Sequence, residues 1–173
     1  MISSSEILNA SILIVDDTEA SITLLEQMLR RAGYVSITST NDGQEVSELH
    51  RKNQYSLILL DLQMPDFDGF RVMEALKTVE TGGYLPVLVQ TCQPNYRLQA
   101  LEAGAKDFLS KPFDLTEFLI RIHNMLEVRL LNRKAELRMS QAEARSRNLS
   151  AAFARTNLPG KTDDLQTKSP WND

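Results

Sequence analysis

Residues 57–70 read LILLDLQMPDFDGF, an apolar run that ends abruptly at Asp61. Four consecutive aliphatic residues with no polar residue between them are typical of a parallel strand that is covered on both faces. The loop that follows contains Asp66 and Asp68 and closes at Gly69, so we expect these two acids to cap the next helix. The stretch therefore predicts a buried strand, a carboxylate at its carboxyl end, and a helix after the loop.

Four further apolar runs with strand-forming residues surround this stretch, at residues 11–15, 35–40, 86–90 and 107–109. Between the runs, apolar residues recur at helical spacing. Three of these helical stretches end at glycine, which is common at helix carboxyl ends: Gly33, Gly82 with Gly83, and Gly104. Strands alternating with helices five times predict an α/β fold with a five-stranded, doubly wound parallel sheet.

A long helix is predicted after the fifth strand. Asp114 and Glu117 form a cap pair directly after Pro112, and the helical pattern then continues without proline or glycine as far as Pro159. The apolar stripe is lost after Met139, and polar residues dominate the end of the chain. We therefore predict three segments: a compact domain over residues 1–125, a helical extension for dimerisation or signalling over 126–154, and a disordered tail over 155–173.

Composition excludes several classes of protein. The 173 residues carry a net charge of −4, and residues 1–114 hold 9 basic and 16 acidic side chains, which argues against binding to nucleic acid. No apolar run approaches the length of about 18 residues that a membrane span needs, and no secretion signal opens the chain. We expect a cytoplasmic protein that contacts neither nucleic acid nor membrane.

Cysteine and histidine offer little for metal binding. Cys92 is the single cysteine, which excludes an internal disulfide and a cysteine-clustered zinc site. His50 and His123 lie far apart on predicted helices, where we interpret them as surface or partly packed residues. Any bound metal is therefore expected to have oxygen ligands.

Polar residues follow four of the five predicted strands: Asp16 and Asp17 after the first, Asp61 after the third, Thr91 after the fourth and Lys111 after the fifth. The carboxyl ends of parallel strands form the ligand-binding edge of such a sheet. Taken singly, each aspartate is more commonly a turn former or helix cap. Three carboxylates in one crevice repel each other unless a cation neutralises them, and ligation by oxygen suits Mg²⁺.

The sequence resembles the receiver domain of bacterial two-component response regulators over roughly residues 10–125. The matching pieces are ILIVDD at 12–17, LILLDLQMPDFDGF at 57–70, LVQT ending at Thr91, and AGAKDFLSKPF at 103–113. The resemblance implies a flavodoxin-like receiver fold, here with an extended C-terminal helix. It also implies a phosphoryl acceptor that assists its own phosphorylation and dephosphorylation rather than a conventional enzyme.

The resemblance assigns the acceptor and the metal ligands. Asp61 would accept the phosphoryl group and contact Mg²⁺. Asp17 would bind the metal directly and Asp16 mainly through water, while Gln63 would offer its backbone carbonyl. A sensor histidine kinase or a phosphotransfer protein would donate the phosphoryl group.

The resemblance also implies a switch. Thr91 and Lys111 would each contact a phosphoryl oxygen, and the peptide bond between Lys111 and Pro112 would be cis. Phe108 occupies the aromatic switch position. Because a phenyl ring lacks a hydroxyl group, we predict a switch driven by packing, with the ring biased inward. The fourth helix, fifth strand and fifth helix would change shape.

The extension after residue 125 resembles the signalling helix that joins receivers to output domains such as cyclic-di-GMP synthases or phosphodiesterases. We therefore expect either a stand-alone receiver or the N-terminal part of a longer regulator, with an unknown downstream target. Apolar residues expected to lie past the domain predict a homodimer through this helix: Leu126, Leu130, Leu131 and Leu137.

Two other functions compete with this interpretation. A hydrolase of the haloacid-dehalogenase kind also uses a nucleophilic aspartate, but its nucleophile follows the first strand in an Asp-x-Asp motif. Here an acidic pair follows the first strand, and Gln63 stands two residues after Asp61. A receiver-like interaction module without phosphorylation is the second alternative, and the complete set of expected site residues disfavours it.

Overall fold

A computed structural model describes residues 1–64, 67–80, 84 and 86–156 of the chain. The chain divides into two compact units, Met1–Ala135 and Glu136–Asp173. Asp66, the glycines at 82 and 83, and residues 157–173 lie outside the described residues, and with them most of the predicted tail.

The first unit contains a sheet of five parallel strands in the order β2-β1-β3-β6-β7. Two short strands, β4 and β5, pair in an antiparallel hairpin directly after β3. The fold class predicted from the sequence is confirmed, and each predicted strand agrees with the observed one to within two residues. The strands are β1 (Ile12–Val15), β2 (Ile37–Thr40), β3 (Leu57–Asp61), β4 (Gln63–Met64), β5 (Phe67–Asp68), β6 (Val87–Thr91) and β7 (Asp107–Ser110).

Within the described residues, six α-helices accompany the strands, and a short 3₁₀ turn (Pro94–Tyr96) precedes the fifth. The first helix was not predicted. It begins with a capping box in which the Ser3 side chain accepts from the backbone of Glu6 while the Glu6 carboxylate accepts from the backbone N–H of Ser3. The helices are α1 (Ser4–Leu8), α2 (Glu19–Arg31), α3 (Val46–Asn53), α4 (Gly69–Val79), α5 (Arg97–Glu102) and α6 (Leu115–Thr156).

Alternate side chains of each central strand enter two separate cores. In β3, Ile58 and Leu60 pack with α3, α4 and α5, whereas Leu57 and Leu59 pack with α1, α2 and α6. All four side chains are buried, because a parallel strand between two helical layers has no solvent-facing side. The two layers leave the carboxyl edge of the sheet open for a site.

Helix ends follow the expected chemistry with one difference. Gly33 and Gly104 adopt positive φ angles of 96° and 110°, which side chains with a Cβ disfavour. Asp68 caps α4 by accepting from the backbone N–H of Phe70, as predicted. Asp114 caps α6, whereas the side chain of Glu117, expected to complete the cap pair, forms an ion pair with an arginine one turn further on.

Two expectations for apolar and histidine side chains are wrong. Leu126 is fully buried and Leu130 packs against the same core, so both belong to the first unit instead of lying past the domain. Leu131 and Leu137 are exposed. His50 is completely buried rather than superficial, and a carboxylate 30 positions away in the chain forms a hydrogen bond with its ring.

In the second unit, residues 136–156 are helical and belong to α6, and their described side chains are exposed. The helix reaches Thr156, two residues beyond the predicted end of the extension at residue 154. Among the described residues, no helix combines the length and the apolar character that crossing a membrane would need.

Candidate phosphoryl-acceptor site

Three carboxylates meet at the carboxyl edge of the sheet. Asp16 and Asp17 follow β1, and Asp61 is the last residue of the neighbouring strand β3. One oxygen from each carboxylate lies within 4.8 Å of the others. We call these three residues the carboxylate cluster; the sequence predicted its members from the strand ends alone.

Asp16 is the most enclosed member of the cluster, with 2% of its surface exposed. Its Oδ1 atom accepts a hydrogen bond of 3.0 Å from the backbone N–H of Thr18, which begins the turn into α2. Its Oδ2 atom accepts a 2.8 Å bond from the ammonium group of Lys111. Both oxygens are therefore fixed, as a buried carboxylate requires.

Lys111 links the cluster to the end of β7. Its Nζ atom donates to Asp61 Oδ2 at 2.6 Å as well as to Asp16, and its backbone N–H donates to the Thr91 carbonyl at 2.9 Å. Burial lowers the pKa of Lys111, but its hydrogen bonds to the two carboxylates outweigh this effect and leave that pKa raised. The side chain is therefore a cation at neutral pH.

Asp61 is partly buried, with 12% of its side chain exposed. Burial raises the pKa of its carboxyl group above the ordinary value, although hydrogen bonds from Lys111 and from the backbone N–H of Gln63 act in the opposite direction. Among the described residues, Lys111 forms ion pairs with two of the three carboxylates, Asp16 and Asp61. The negative charge that remains on the carboxylates favours the binding of a further cation.

The expected switch residues lie on β6 and β7. Thr91 is fully buried at the end of β6, where its hydroxyl oxygen accepts a 3.2 Å hydrogen bond from the backbone N–H of Gln93. Phe108 is 6% exposed and packs in the core beneath α5, so its ring points inward in this structure. The bond between Lys111 and Pro112 is cis.

Two residues near the site were not singled out as functional from the sequence. Thr18 holds Asp16 in place, and its position two residues after an aspartate is the usual signal of such a turn. Gly69 packs so tightly that a Cβ atom there would lie 2.8 Å from the Asp61 carbonyl oxygen. Cys92, next to Thr91, is exposed.

The fold and the site are those of a receiver domain, and similarity to known proteins agrees with this. Residues 12–123 match the family model described as the response regulator receiver domain. The chain is 36% identical to the response regulator PleD of Caulobacter vibrioides over 149 residues, which cover 85% of this chain and 32% of PleD. It is 39% identical to the transcriptional regulatory protein PcoR of Escherichia coli over 117 residues, 66% of this chain and 50% of PcoR.

This chain belongs to the response-regulator receiver family. It spans about a third to a half of the length of these two relatives. Among solved structures it is similar to the receiver domain of the sensor histidine kinase PA1611 of Pseudomonas aeruginosa, which holds a magnesium ion in its active site cleft. That similarity has a TM-score of 0.63 at 29% identity, covering 69% of this chain and 98% of the other.

A second solved structure supports the same fold. The chemotaxis protein CheY4 of Vibrio cholerae is 26% identical, with a TM-score of 0.62, and the match covers 68% of this chain and 98% of CheY4. Both matched structures are covered almost completely, whereas about a third of this chain lies outside them.

Proposed function

We propose that this protein accepts a phosphoryl group on Asp61 from a sensor histidine kinase or a phosphotransfer protein. The observation that carries the proposal is the position of Asp61. It ends a central strand, lies within 4.8 Å of two other carboxylates, and receives a 2.6 Å hydrogen bond from Lys111. A nucleophile, a fixed cation and an oxygen-lined crevice are the parts that phosphoryl transfer needs.

In the proposed reaction, an oxygen of Asp61 attacks phosphorus while the bond between phosphorus and the donor breaks. The leaving group takes the bonding electron pair and is protonated by solvent. Lys111 then exchanges its bond to Asp61 Oδ2 for one to a phosphoryl oxygen, which compensates the added charge. The Thr91 hydroxyl turns toward the phosphoryl group from its present partner, Gln93.

The carboxylate cluster fits Mg²⁺, because its donors are all oxygens and one lysine leaves part of their charge uncompensated. Asp17 and Asp61 would bind the ion directly, Asp16 mainly through water, and Gln63 through its backbone carbonyl. The bound ion would supply positive charge beside the transferred group. Lys111, which is itself held by Asp16, keeps the Asp61 carboxylate oriented.

Transmission of the signal is proposed to involve Thr91 and Phe108. Movement of Thr91 toward the phosphoryl group would change the packing beside the ring of Phe108, which is already inside the core. The surface formed by α5, β7 and α6 would then change shape. Two leucines of α5, Leu98 and Leu101, are exposed on the helix at this surface.

Incubation with acetyl phosphate tests the proposal directly. Intact-protein mass spectrometry is expected to show the addition of one phosphoryl group in the presence of Mg²⁺, and much less with EDTA, because the cation offsets the repulsion between the acceptor site and the donor. An unchanged mass in the presence of Mg²⁺ would refute phosphoryl acceptance and favour a receiver-like interaction module.

The order of the strands disfavours a multiple-turnover phosphatase. Asp61 follows β3, whereas the haloacid-dehalogenase nucleophile follows the first strand and has a second aspartate two residues later. Gln63 holds that second position here. We therefore propose that this chain does not turn over a generic phosphatase substrate.

We also propose that the protein forms a homodimer through α6. Leu126 and Leu130 pack in the core of the first unit and cannot form the expected contact between subunits. Val128 and Leu131, by contrast, are each 44% exposed. Leu137 of the second unit is also exposed. Exposed apolar residues on a helix are common at contacts between subunits.

Sedimentation at increasing protein concentration, with and without a phosphoryl mimic, is expected to show a dimer. Replacing Leu131 by glutamate should shift the protein to monomer, because a charge would enter the apolar contact. Leu24→Glu, at an exposed leucine of α2, is the matched control and should leave the dimer intact. A wild-type protein that is monomeric at every concentration would overturn this proposal.

A further inference from the structure

A group of buried ionisable residues lies away from the carboxylate cluster, at the opposite edge of the sheet. His50 lies on α3, Glu80 directly follows α4, and Arg129 lies on α6. The His50 side chain is fully buried, and those of Glu80 and Arg129 are about 95% buried. Phosphoryl acceptance uses none of the three, so their burial needs another explanation.

Glu80 is the centre of this group. Its Oε2 atom lies 3.0 Å from His50 Nε2, and Arg129 Nη2 donates to both carboxylate oxygens at 3.2 and 3.3 Å. The other terminal nitrogen of Arg129, Nη1, donates to the backbone carbonyl of Tyr84 at 2.6 Å. The Arg129 guanidinium group therefore binds two separate residues between α4 and β6, Glu80 and Tyr84.

His50 and Arg129 contact Glu80 in different ways. A carboxylate can only accept, so His50 donates through Nε2, and its Nδ1 atom has no hydrogen-bond partner among the described residues. Arg129 forms an ion pair with the Glu80 carboxylate. Removal of either partner would leave a buried charge, which is costly.

Apolar contacts alone do not fix the position of α6. Leu126 and Leu130 bury the helix against the core, but apolar contacts are not directional and tolerate small rotations and shifts. Arg129 lies between these leucines in the sequence, and its guanidinium has directional hydrogen bonds to two acceptors, the Glu80 carboxylate and the Tyr84 carbonyl. Five residues after Arg129, Lys134 forms a 2.7 Å ion pair with Glu6 of α1. This is a second polar contact between this part of α6 and the rest of the first unit.

We propose that His50, Glu80 and Arg129 form an anchor that fixes residues 126–135 of α6 to the amino edge of the sheet. We call these three residues the Glu80 anchor. Its role is to position this part of α6, whereas burial of Leu126 and Leu130 contributes stability. In some proteins, buried ionic groups specify one arrangement among several of similar energy. The proposal does not depend on phosphorylation of Asp61.

Hydrogen exchange measured by mass spectrometry on the full chain tests the anchor. Arg129→Met is expected to speed exchange in residues 126–135 by about tenfold or more, because the lost hydrogen bonds involve charged groups. Arg121→Met is the matched control, since Arg121 lies on the same helix but forms half-exposed ion pairs with Asp107 and Glu117. It should leave exchange in residues 126–135 unchanged.

A double variant separates positioning from stability. Arg129→Met alone leaves Glu80 as a buried carboxylate without its guanidinium and should lower the melting temperature. Glu80→Gln combined with Arg129→Met removes both charges, so the melting temperature should recover while exchange in residues 126–135 stays fast. Exchange that returns to the wild-type rate together with stability would overturn the positioning role.

Two further measurements complete the test. Arg129→Lys keeps the charge but not the fork and should give intermediate exchange, which preserves a readout if Arg129→Met folds poorly. Phosphorylation of Asp61 by acetyl phosphate should proceed at the wild-type rate in the double variant, because the anchor lies at the other edge of the sheet. Identical exchange in residues 126–135 for wild type, Arg129→Lys and the double variant would refute the anchor.

Discussion

Asp61→Asn is expected to abolish phosphoryl incorporation from acetyl phosphate, the largest single effect in this protein. An amide nitrogen or oxygen at this position cannot act as the carboxylate nucleophile, and the buried Asp16 is not free to replace it. Asp16 is held at both oxygens by Thr18 and Lys111. Intact-protein mass spectrometry in the presence of Mg²⁺ should therefore show the unmodified mass only.

Asp68→Asn is the matched control for this variant. Asp68 caps α4 seven residues after Asp61, and asparagine caps helices about as well as aspartate. This control should incorporate the phosphoryl group as the wild type does. If Asp61→Asn were phosphorylated to the wild-type extent, the acceptor would have to be another residue.

The stability of Asp61→Asn provides an internal check that the variant is folded. Burial raises the pKa of Asp61, so its ionisation is less favourable in the folded than in the unfolded chain. Without Mg²⁺ at neutral pH, the neutral asparagine should therefore raise the melting temperature. The gain should disappear below about pH 4, where aspartate is protonated in the unfolded chain as well.

Gly69→Ala is expected to destabilise the first unit by about 1–3 kcal/mol, the cost typical of overpacking. A Cβ atom at this position would lie 2.8 Å from both the Asp61 carbonyl oxygen and the Leu62 Cα atom. These are backbone atoms, which cannot move without shifting the end of β3. The variant should melt earlier and also accept the phosphoryl group more slowly, because the shift displaces Asp61 itself.

Gly33→Ala is a control that separates the loss of stability from the slower phosphoryl acceptance. Gly33 has a φ angle of 96°, so alanine there is strained, but its Cβ atom would meet only the side chain of Leu8 at 3.5 Å. This variant should lose stability and still accept the phosphoryl group at the wild-type rate when folded. Wild-type melting and phosphorylation in Gly69→Ala would show that the end of β3 can adjust freely.

Much of the first unit could be predicted because its signals are local. The run LILL identified a strand buried on both faces, and Asp61 followed it immediately. Strand ends of a parallel sheet meet at one edge, so the cluster could be assembled without coordinates. The helix α1 also has a local signal, the capping box of Ser3 and Glu6 before two apolar residues, but five residues are too few to show a helical period.

The features that could not be predicted depend on distant partners. His50 and Glu80 are 30 residues apart, and Arg129 lies 49 residues beyond Glu80. Nothing in the neighbouring sequence of any of the three indicates that they meet. The burial of Leu126 likewise depends on α6 continuing along the core, which the helical spacing of apolar residues does not specify.

The exposed thiol of Cys92 offers a practical route to observing the site. It is the single cysteine in the sequence, so a maleimide fluorophore would attach at one known position without mutagenesis. Its neighbour Thr91 shares a backbone hydrogen bond with Lys111. A label there would sit beside the residues proposed to move when Asp61 is modified, and its emission could follow phosphorylation and its decay in real time.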